Sequence, residues 1–283
     1  MIVKSKSAKI SFLESEFKSI KHSNYFDIYD EILSLYKGKK IKVLEIGVLN
    51  GGGLFMLRKI LGNKAEIVGI DLNPSCLKFS DFGFKIFIGD QNNNKFWVDF
   101  FNTMGQFDVI IDDGGHTNSQ QINSLNSCVN HITDGGVYIT EDVHTSYWFE
   151  FGNPSKSSFI SYVKKIVDVV NSRGPRVKPK VHNSFYRTVH SVSIYQSIVC
   201  FRINRFKAVA SSHISNSGKS LAHKDFRDNS SAIFPILEWL STSNRKLSIY
   251  TKLILLFIYH KTLNIKLKLQ FIKLSKTSNK FDI

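Results

Sequence analysis

The chain has 283 residues and a formal net charge of +15 at pH 7, and 13% of its residues are aromatic. This length is enough for one α/β domain with a substantial core plus extensions, and the aromatic content excludes a disordered chain. Three scattered cysteines without CxxC spacing exclude a disulfide framework and a thiolate metal site, and they favour a reducing, cytoplasmic location. We expect neither a secretory signal in the polar N-terminal residues nor a membrane span, since the longest apolar run is Leu253–Tyr259.

The charge is distributed unevenly along the chain. Residues 1–150 hold 15 Lys and Arg against 18 Asp and Glu, whereas residues 151–283 hold 23 against 5. This asymmetry predicts that the second part meets something anionic, such as a membrane surface, a nucleic acid or a phosphorylated substrate. The alternative is a bias toward Lys, Ile and Asn that needs no partner.

The first predicted helix follows a polar, basic segment. Residues 1–22 are predicted to be an arm or a loose cap. After Ser23 or Asn24 as a cap, apolar residues recur at helical spacing until Gly38. The stripe consists of Tyr25, Ile28, Tyr29, Ile32, Leu33 and Tyr36. Such a stripe is usually core packing, although Tyr25 could reach a substrate.

A glycine-rich turn joins the first strand, Ile41–Gly47, to a helix at Leu54–Leu61. A strand, an acid, glycines and a helix together form a nucleotide-type pocket, because glycines let a ligand approach the backbone. The form E-x-G-x-x-x-G from Glu45 to Gly51 differs from the G-x-G-x-x-G of dinucleotide-binding folds, so a dehydrogenase is the least favoured enzyme class. Glu45 suits a cationic or amino-bearing ligand.

Two further strands end in polar residues. Asp71 closes the strand Glu66–Asp71, roughly 20 residues after the glycine turn, where an acid can hold both ribose hydroxyls. Its alternative role is the cap of the next helix. The strand Phe84–Asp90 ends at Asp90 and Gln91, which are placed to meet a nucleobase edge.

A crossover helix at Asn92–Met104 precedes two short apolar runs, each of which ends in a pair of acids. The pairs are Asp112 with Asp113 and Glu141 with Asp142. A segment long enough for one helix separates the two runs, which predicts parallel strands with both acid pairs on one rim. Clustered carboxylates repel unless a cation lies among them, and their hard oxygens suit Mg²⁺ or Mn²⁺.

His116 follows Asp113 by three residues, past two glycines, so it can turn back over the same rim. A neutral imidazole beside a metal ion is a candidate general base. The alternative is that one acid of each pair caps a helix and that His116 is an ordinary surface residue. Two acid pairs on consecutive strands favour the metal site. His144 is a second candidate for the general base. Alternatively, it makes only a contact within the local turn.

The chain then continues with a predicted helix at Ser157–Val170 and a basic loop at Asn171–Asn183, a candidate substrate lid. Val189–Tyr195 and Ser197–Ile203 form a predicted antiparallel hairpin on the mixed sheet.

The remaining residues differ in character from the domain. Ala208–Ser231 is predicted to be a loop. Leu247–Leu274 mixes aliphatic residues with lysines, which predicts a basic amphipathic helix in an anionic interface, or a helix packed on the core or on a partner subunit. Within it, Ile265–Leu269 alternates like a strand.

Several motifs together resemble class I S-adenosylmethionine-dependent methyltransferases. More narrowly, they are similar to the metal-dependent sugar O-methyltransferases that act on macrolide deoxysugars, the mycinamicin and macrocin type. The motifs are VLEIGVLNGGGL at 43–54, Asp71, GDQ at 89–91, IIDDGGH at 110–116 and GGVYITEDVHTSYW at 135–148. The resemblance covers about residues 20–205.

The resemblance implies an α/β, Rossmann-like class I methyltransferase fold with a seven-stranded mixed sheet and an antiparallel C-terminal hairpin. We therefore predict an N-terminal arm at residues 1–22, a methyltransferase domain at 23–206 and a basic C-terminal extension at 207–283.

The resemblance also implies the role of individual residues. Glu45, Gly47 and Gly51 would line the methionine part of S-adenosylmethionine, Asp71 the ribose, and Asp90 with Gln91 the adenine. Asp113, Glu141 and Asp142 would bind Mg²⁺ or Mn²⁺, and His116 would be the general base. Strand alternation should point Asp112 away from Asp113, so it would face the cofactor sulfonium or fix the strand end. Tyr147 and Trp148 would form an apolar platform for a sugar, or pack in the core.

Two departures from the macrolide enzymes, a short N-terminal part and the basic tail, favour a different acceptor. We expect a sugar on a bacterial surface glycan (O-antigen or capsule) or on a glycosylated metabolite, methylated at the inner face of the membrane through 247–274. The alternatives are an RNA-binding or RNA-modifying methyltransferase and a non-catalytic scaffold in a glycan assembly complex. Nucleic acid is not favoured, because the acidic rim repels phosphates and no N-P-P-Y-like motif occurs. Homo-oligomerisation is left open.

Overall fold

The computed structural model describes residues 7–151, 156–174 and 184–219, together with helical residues between 254 and 272. The chain divides into two compact units, Met1–His213 and Ile214–Ile283. The first unit contains the sheet and every residue for which a site role is predicted. The predicted boundary at residue 206 falls seven residues before this division.

In the described part of the chain, the first unit is built on one seven-stranded sheet in the order β3-β2-β1-β4-β5-β7-β6. The strands are β1 Lys42–Ile46, β2 Glu66–Asp71, β3 Lys85–Ile88, β4 Phe107–Asp112, β5 Ile132–Thr140, β6 Val189–Tyr195 and β7 Ile198–Ile203. Strands β1 to β5 pair parallel with one another, whereas β7 pairs antiparallel with both β5 and β6. The predicted mixed sheet with an antiparallel C-terminal hairpin is thereby confirmed.

Helices cover both faces of the sheet. They are α1 Ala8–Leu13, α2 Tyr25–Leu33, α3 Gly52–Leu61, α4 Asn94–Met104, α5 Asn118–Cys128, α6 Phe159–Asn171 and α7 Ser184–Thr188. The predicted stripe of α2 continues through a short 3₁₀ turn at Ser34–Tyr36. Asn24 occupies the N-cap position of α2, but its side chain donates to the carbonyl oxygen of Gln196 and not to the helix.

Strand alternation assigns each side chain to one of two cores. Val43, Val109 and Val137 belong to the core under α1, α2 and α3, whereas their successors Leu44, Ile110 and Tyr138 belong to the opposite core. Because side chains alternate along a strand, the acids that lie two or four residues after the valines face the α1–α3 side. These acids are Glu45, Asp113 and Glu141. The fold thus collects three carboxylates on one face of the sheet.

Residues 7–22 of the predicted arm or loose cap include a helix that packs against the domain. Ser7 caps α1 by accepting from the backbone of Ile10, and Ala8 is fully buried. The backbone N–H of Ala8 donates to the carboxylate of Asp30 on α2, and the ring of Phe12 packs 5.0 Å from that of Phe26. These contacts join residues far apart in sequence, so local composition does not reveal them.

In the second unit the structure describes residues 214–219, which form no helix or strand, and helical residues between 254 and 272. The stretch Ile265–Leu269 alternates like a strand in the sequence, but its described residues Ile265 and Leu267–Leu269 are helical. Ile254, Phe257 and Ile265 are exposed. Among the described residues, no helix is long and apolar enough to cross a membrane. Most of the predicted lid Asn171–Asn183, and the predicted loop beyond residue 219, lie outside the described residues.

Candidate active site

The two acid pairs lie at the same edge of the sheet. The backbone N–H of Asp113 donates to the carbonyl oxygen of Ile46 at 2.9 Å, and that of Glu141 donates to the carbonyl oxygen of Asp112 at 2.9 Å. The strand pairing therefore continues one residue beyond β4 and β5. As a result, Asp113 and Glu141 leave neighbouring strands at the same height and on the same face.

A lysine that the sequence analysis did not single out occupies the centre of this acid group. Lys21 Nζ lies 2.5 Å from Asp113 Oδ2 and 2.8 Å from both carboxylate oxygens of Glu141. The Lys21 side chain is 1% exposed. Burial lowers the pKa of Lys21, but Asp113 and Glu141 outweigh it and hold the pKa well above the ordinary value. The ammonium group thus remains charged and neutralises one of the acids.

Two tyrosines of the predicted core stripe also reach the acids. The hydroxyl of Tyr29 donates to Glu141 Oε1, and that of Tyr25 donates to Asp142 Oδ1 at 2.5 Å. Burial raises the pKa of both tyrosines, with further increases from Glu141 and Asp142. Both phenols therefore stay protonated donors. Helix α2 accordingly packs against the sheet and fixes the orientation of two acidic side chains.

His116 turns back over the rim, as its spacing predicts. Its Nε2 lies 3.8 Å from Asp113 Oδ1 and 3.5 Å from Asp142 Oδ2. Its Nδ1 is buried and has no hydrogen-bond partner among the described residues. The backbone angle φ is +58° at His116 and +52° at Asp142, in the left-handed region that non-glycine residues rarely adopt.

The residues of the rim fit a divalent cation. One ligand atom each from Asp113, His116 and Asp142 lie within 4.8 Å of one another. Glu141 lies next to this group, because Glu141 and Asp113 both contact the ammonium group of Lys21. Burial and the charge of Asp113 raise the pKa of Glu141 to about 7. Buried and half-buried carboxylates this close together need a positive charge between them, and an oxygen-rich set suits Mg²⁺ or Mn²⁺.

His144 lies beside this group and makes a local contact. Its Nδ1 is 4.0 Å from Asp142 Oδ1, and its ring packs edge-on against those of His22 and Trp148 at 5.1 Å. Burial lowers the pKa of His144. Of the two roles considered for this residue, the geometry favours the turn contact.

A cavity of about 440 Å³ adjoins the acids. Seven of the predicted site residues line it, namely Glu45, Gly47, Asp71, Gln91, Asp113, His116 and Asp142.

The first glycine of the turn, Gly47, cannot be replaced by a residue with a side chain without a steric clash. Gly47 has φ +92°, and a Cβ there would overlap the carbonyl oxygen of Asp113. Only glycine lets the two strand ends approach this closely.

Glu45 presents an unpaired acceptor to the cavity. It is buried, and its Oε2 has no hydrogen-bond partner among the described residues. Burial raises the pKa of Glu45 to about 8, although Lys21 acts in the opposite direction. A Cβ at Gly53 would overlap Glu45 Oε1, so this glycine leaves space for the carboxylate. A buried carboxyl group that lacks a donor fits the amino group of a ligand.

Asp71 braces the glycine turn. Its Oδ2 accepts from the backbone N–H groups of Val48 at 2.9 Å and Leu49 at 2.8 Å, and its Oδ1 accepts from that of Asn73 at 2.8 Å. Asn73, and not Asp71, caps the following 3₁₀ helix. The alternative role of Asp71 as a helix cap is therefore not observed, and its carboxylate borders the cavity.

Three of the predicted cofactor residues do not line the cavity: Gly51, Asp90 and Asp112. Gly51 has φ +79° and packs on Phe79 just before α3, so it shapes the turn. Asp90 accepts from the backbone N–H of Asn92. Gly51 and Asp90 thus make local contacts. Their position after a strand in the sequence did not by itself predict contact with the cavity.

Asp112 fixes the end of its strand. It is buried and accepts from the hydroxyl of Tyr138 at 2.9 Å and from Gln91 Nε2 at 3.1 Å. Burial raises the pKa of Asp112 to about 7. Gln91 in turn accepts from the backbone N–H of Gly115 at 2.8 Å, so it ties the loop that carries His116 to β3. Of the two roles considered for Asp112, the structure favours the structural one.

Tyr147 and Trp148 are 53% and 48% exposed, so they do not pack in the core. With Phe149, which is 86% exposed, they form an apolar surface next to His144 on the rim. This surface is available to a ligand.

No model of a protein family matches the chain. Demethylmacrocin O-methyltransferase of Streptomyces fradiae is 32% identical over 151 residues, which cover 50% of this chain and 38% of that protein. Mycinamicin VI 2''-O-methyltransferase of Micromonospora griseorubida is 31% identical over 153 residues, with the same coverage of 50% and 38%. The match thus spans well under half the length of these relatives.

Among solved structures, the chain is similar to MycE, a methyltransferase from the mycinamycin biosynthetic pathway in complex with Mg and SAH. The TM-score is 0.61 at 23% identity, over 71% of this chain and 55% of the other. This similarity establishes the shared fold. The resemblance to enzymes of the macrocin and mycinamicin type, inferred from the motifs, is confirmed by the sequence matches.

Proposed function

We propose that this protein is an S-adenosylmethionine-dependent, Mg²⁺-dependent O-methyltransferase that acts on a sugar hydroxyl. The observation that carries this proposal is that Asp113, Asp142 and His116, which converge as a group, line the same cavity as Glu45 and Asp71. The similarity to two O-methyltransferases supports the reaction class. The sugar is the acceptor that the resemblance implies.

The residues divide the binding of the cofactor among them. Glu45 would receive the amino group, because its buried Oε2 has no other donor among the described residues. Asp71 would accept from the ribose while its backbone contacts hold the turn in place. Gln91 lines the same cavity and would meet the adenine. Gly47 also lines it and would border the methionine part of the cofactor.

The cation would be held by Asp113, Glu141 and Asp142. When bound, S-adenosylmethionine supplies an activated methyl group and Mg²⁺ supplies a Lewis acid for the acceptor hydroxyl. His116 Nε2 would take the proton from that hydroxyl, and Asp113 and Asp142 would stabilise the resulting imidazolium from 3.8 and 3.5 Å. A general base of this kind typically contributes about 10²- to 10⁴-fold to the rate.

The finer proposal for the acceptor is a surface glycan, such as O-antigen or capsule, or a glycosylated metabolite, reached at the inner face of the membrane. Its support is the charge asymmetry of the sequence and the exposed apolar residues Ile254, Phe257 and Ile265, which are helical, as are Lys261 and Lys268. A flotation assay with vesicles that contain anionic lipid at physiological salt tests it. If the protein does not float with these vesicles, the membrane part of the proposal is wrong.

Calorimetric titration of S-adenosylmethionine into chelator-treated protein, repeated with Mg²⁺, tests the central proposal. We expect binding at micromolar concentration, followed by methyl transfer to members of a panel of nucleotide sugars and glycosides only when Mg²⁺ is present. A Glu45→Gln variant should bind more weakly, whereas Lys9→Met, an exposed change on α1, should bind as the unmodified protein does. Absence of binding in both conditions would overturn the cofactor assignment.

A further inference from the structure

The N-terminal segment places a positive charge inside the acid site. We propose that Lys21 is a built-in cation of this site, so that a divalent ion binds only when the Lys21 ammonium leaves, and that Lys21 thereby sets the metal affinity. This inference rests on the proposed metal site. It goes further by assigning a function to a residue outside the motifs of the family resemblance.

The geometry leaves space for one cation. Lys21 Nζ is within 2.8 Å of three carboxylate oxygens, one from Asp113 and two from Glu141. Mg²⁺ binds carboxylate oxygens at about 2.0–2.1 Å. An ion that bound the same oxygens would therefore lie against the ammonium nitrogen, and two positive charges would be in contact. The lysine and the metal ion are mutually exclusive at these oxygens.

The chain holds the segment that carries Lys21 at both ends. On one side, the hydroxyl of Ser15 donates to the carbonyl oxygen of Gly52 at 2.9 Å. The ring of Phe17 packs 4.8 Å from that of Phe55 and 5.3 Å from that of Phe79. On the other side, α2 begins at Tyr25. Between these anchors, residues 18–22 belong to no helix or strand.

This arrangement allows Lys21 to move without loss of the fold. Within residues 18–22, Lys21 contacts Asp113 and Glu141, and His22 Nε2 lies 3.8 Å from Asp142 Oδ1. Lys18, Ser19 and Ile20 border the cavity without entering a core cluster. The hydroxyls of Tyr25 and Tyr29 hold Asp142 and Glu141 from α2 independently of Lys21. Glu141 and Asp142 therefore keep these contacts when the lysine withdraws.

Amine labelling of the unmodified protein tests the exchange directly. The protein is treated with an acylating reagent in chelator or in saturating Mg²⁺, and modification of each lysine is measured by mass spectrometry. We expect Lys21, which is 1% exposed, to be protected in chelator and labelled in Mg²⁺. Lys9 is exposed and should be labelled equally in both. Protection of Lys21 that persists at Mg²⁺ concentrations shown by calorimetry to saturate the protein overturns the inference.

Metal affinity provides the second test. Mg²⁺ and Mn²⁺ are titrated into the unmodified protein, Lys21→Met and Lys9→Met, each shown to be folded by circular dichroism. We expect Lys21→Met to bind about 10- to 100-fold more tightly, since the hydrogen bonds of one charged group contribute that factor to an equilibrium. Lys9→Met should match the unmodified protein. Equal or weaker binding by folded Lys21→Met overturns the inference and leaves the metal site standing, whereas absence of metal binding by all three overturns both. The labelling experiment remains decisive where Lys21→Met does not fold.

Discussion

His116 and Asp142 face each other across the rim, with His116 Nε2 3.5 Å from Asp142 Oδ2, and both have left-handed backbone angles. Such conformations cost of order 1–3 kcal/mol each and persist where the surrounding structure enforces them, often at functional sites. Here the hydroxyl oxygen of Thr145 lies 2.8 Å from the carbonyl oxygen of His116 and 2.9 Å from that of Asp142, so its single proton is shared between the two acceptors. The two turns are therefore held by one side chain, and the imidazole is kept above the acids.

Replacement of His116 by alanine should remove turnover and keep cofactor binding. The imidazole is the proposed base, so we expect methyl transfer to fall by about 10²- to 10⁴-fold. The measurement is the rate of methyl transfer to the acceptor found in the panel, together with calorimetry of S-adenosylhomocysteine. His190→Ala, an exposed change on β6, is the matched control. Full activity of His116→Ala at neutral pH would move the base to another residue.

Removal of the metal ion, or of one of its ligands, should abolish activity. Chelator is expected to stop methyl transfer and added Mg²⁺ to restore it. Asp113→Asn and Glu141→Gln should lose metal binding by calorimetry, because each change removes a charge from the proposed ligand set. Asp81→Asn, at an exposed position, should behave as the unmodified protein does. Activity that is indifferent to chelator would contradict the metal role.

Cofactor binding should release a proton at neutral pH. Glu45 has a pKa of about 8 and is therefore mostly protonated in the free protein below about pH 8. A bound cationic amine favours the ionised carboxylate and lowers this pKa. Affinity for S-adenosylmethionine should accordingly rise with pH up to about 8 and then level off.

The proton release can be measured by calorimetry at neutral pH in two buffers of different ionisation enthalpy. The observed enthalpy should differ between the buffers for the unmodified protein and agree between them for Glu45→Gln. An enthalpy independent of buffer in the unmodified protein would show that Glu45 does not meet the amine.

Arg173 should contribute to stability at the start of the predicted lid. Its side chain is 7% exposed and donates to three carbonyl oxygens, those of Tyr186 at 2.9 Å, Phe185 at 3.1 Å and Val189 at 2.6 Å. Arg173→Met would remove the donor to these buried groups, so the free energy of unfolding should fall by roughly 3 kcal/mol. Denaturant unfolding measures this change. Arg187→Met, exposed on α7, should change stability by less than about 0.5 kcal/mol; a similarly small change in Arg173→Met would contradict the prediction.

The sequence by itself determined the strands and the rim. The predicted and observed bounds of β2 and β6 coincide, and α5 lies between the two acid-terminated strands as expected. These features follow from local patterns, because apolar runs and side-chain alternation reflect burial on a sheet. The opposite orientations of Asp112 and Asp113 were predictable for the same reason.

Only the tertiary structure decided what surrounds the acids. Lys21 is 92 residues from Asp113 and 120 from Glu141, and Tyr29 is 112 residues from Glu141. In the sequence, Lys21 belongs to a basic segment and Tyr29 to an apolar stripe, so the local pattern does not indicate that either residue contacts the acids. Their roles arise when α2 packs over the face of the sheet that carries Glu45, Asp113 and Glu141. Buried carboxylates require donors and positive charge, and which distant side chains supply them depends on packing that local periodicity does not encode.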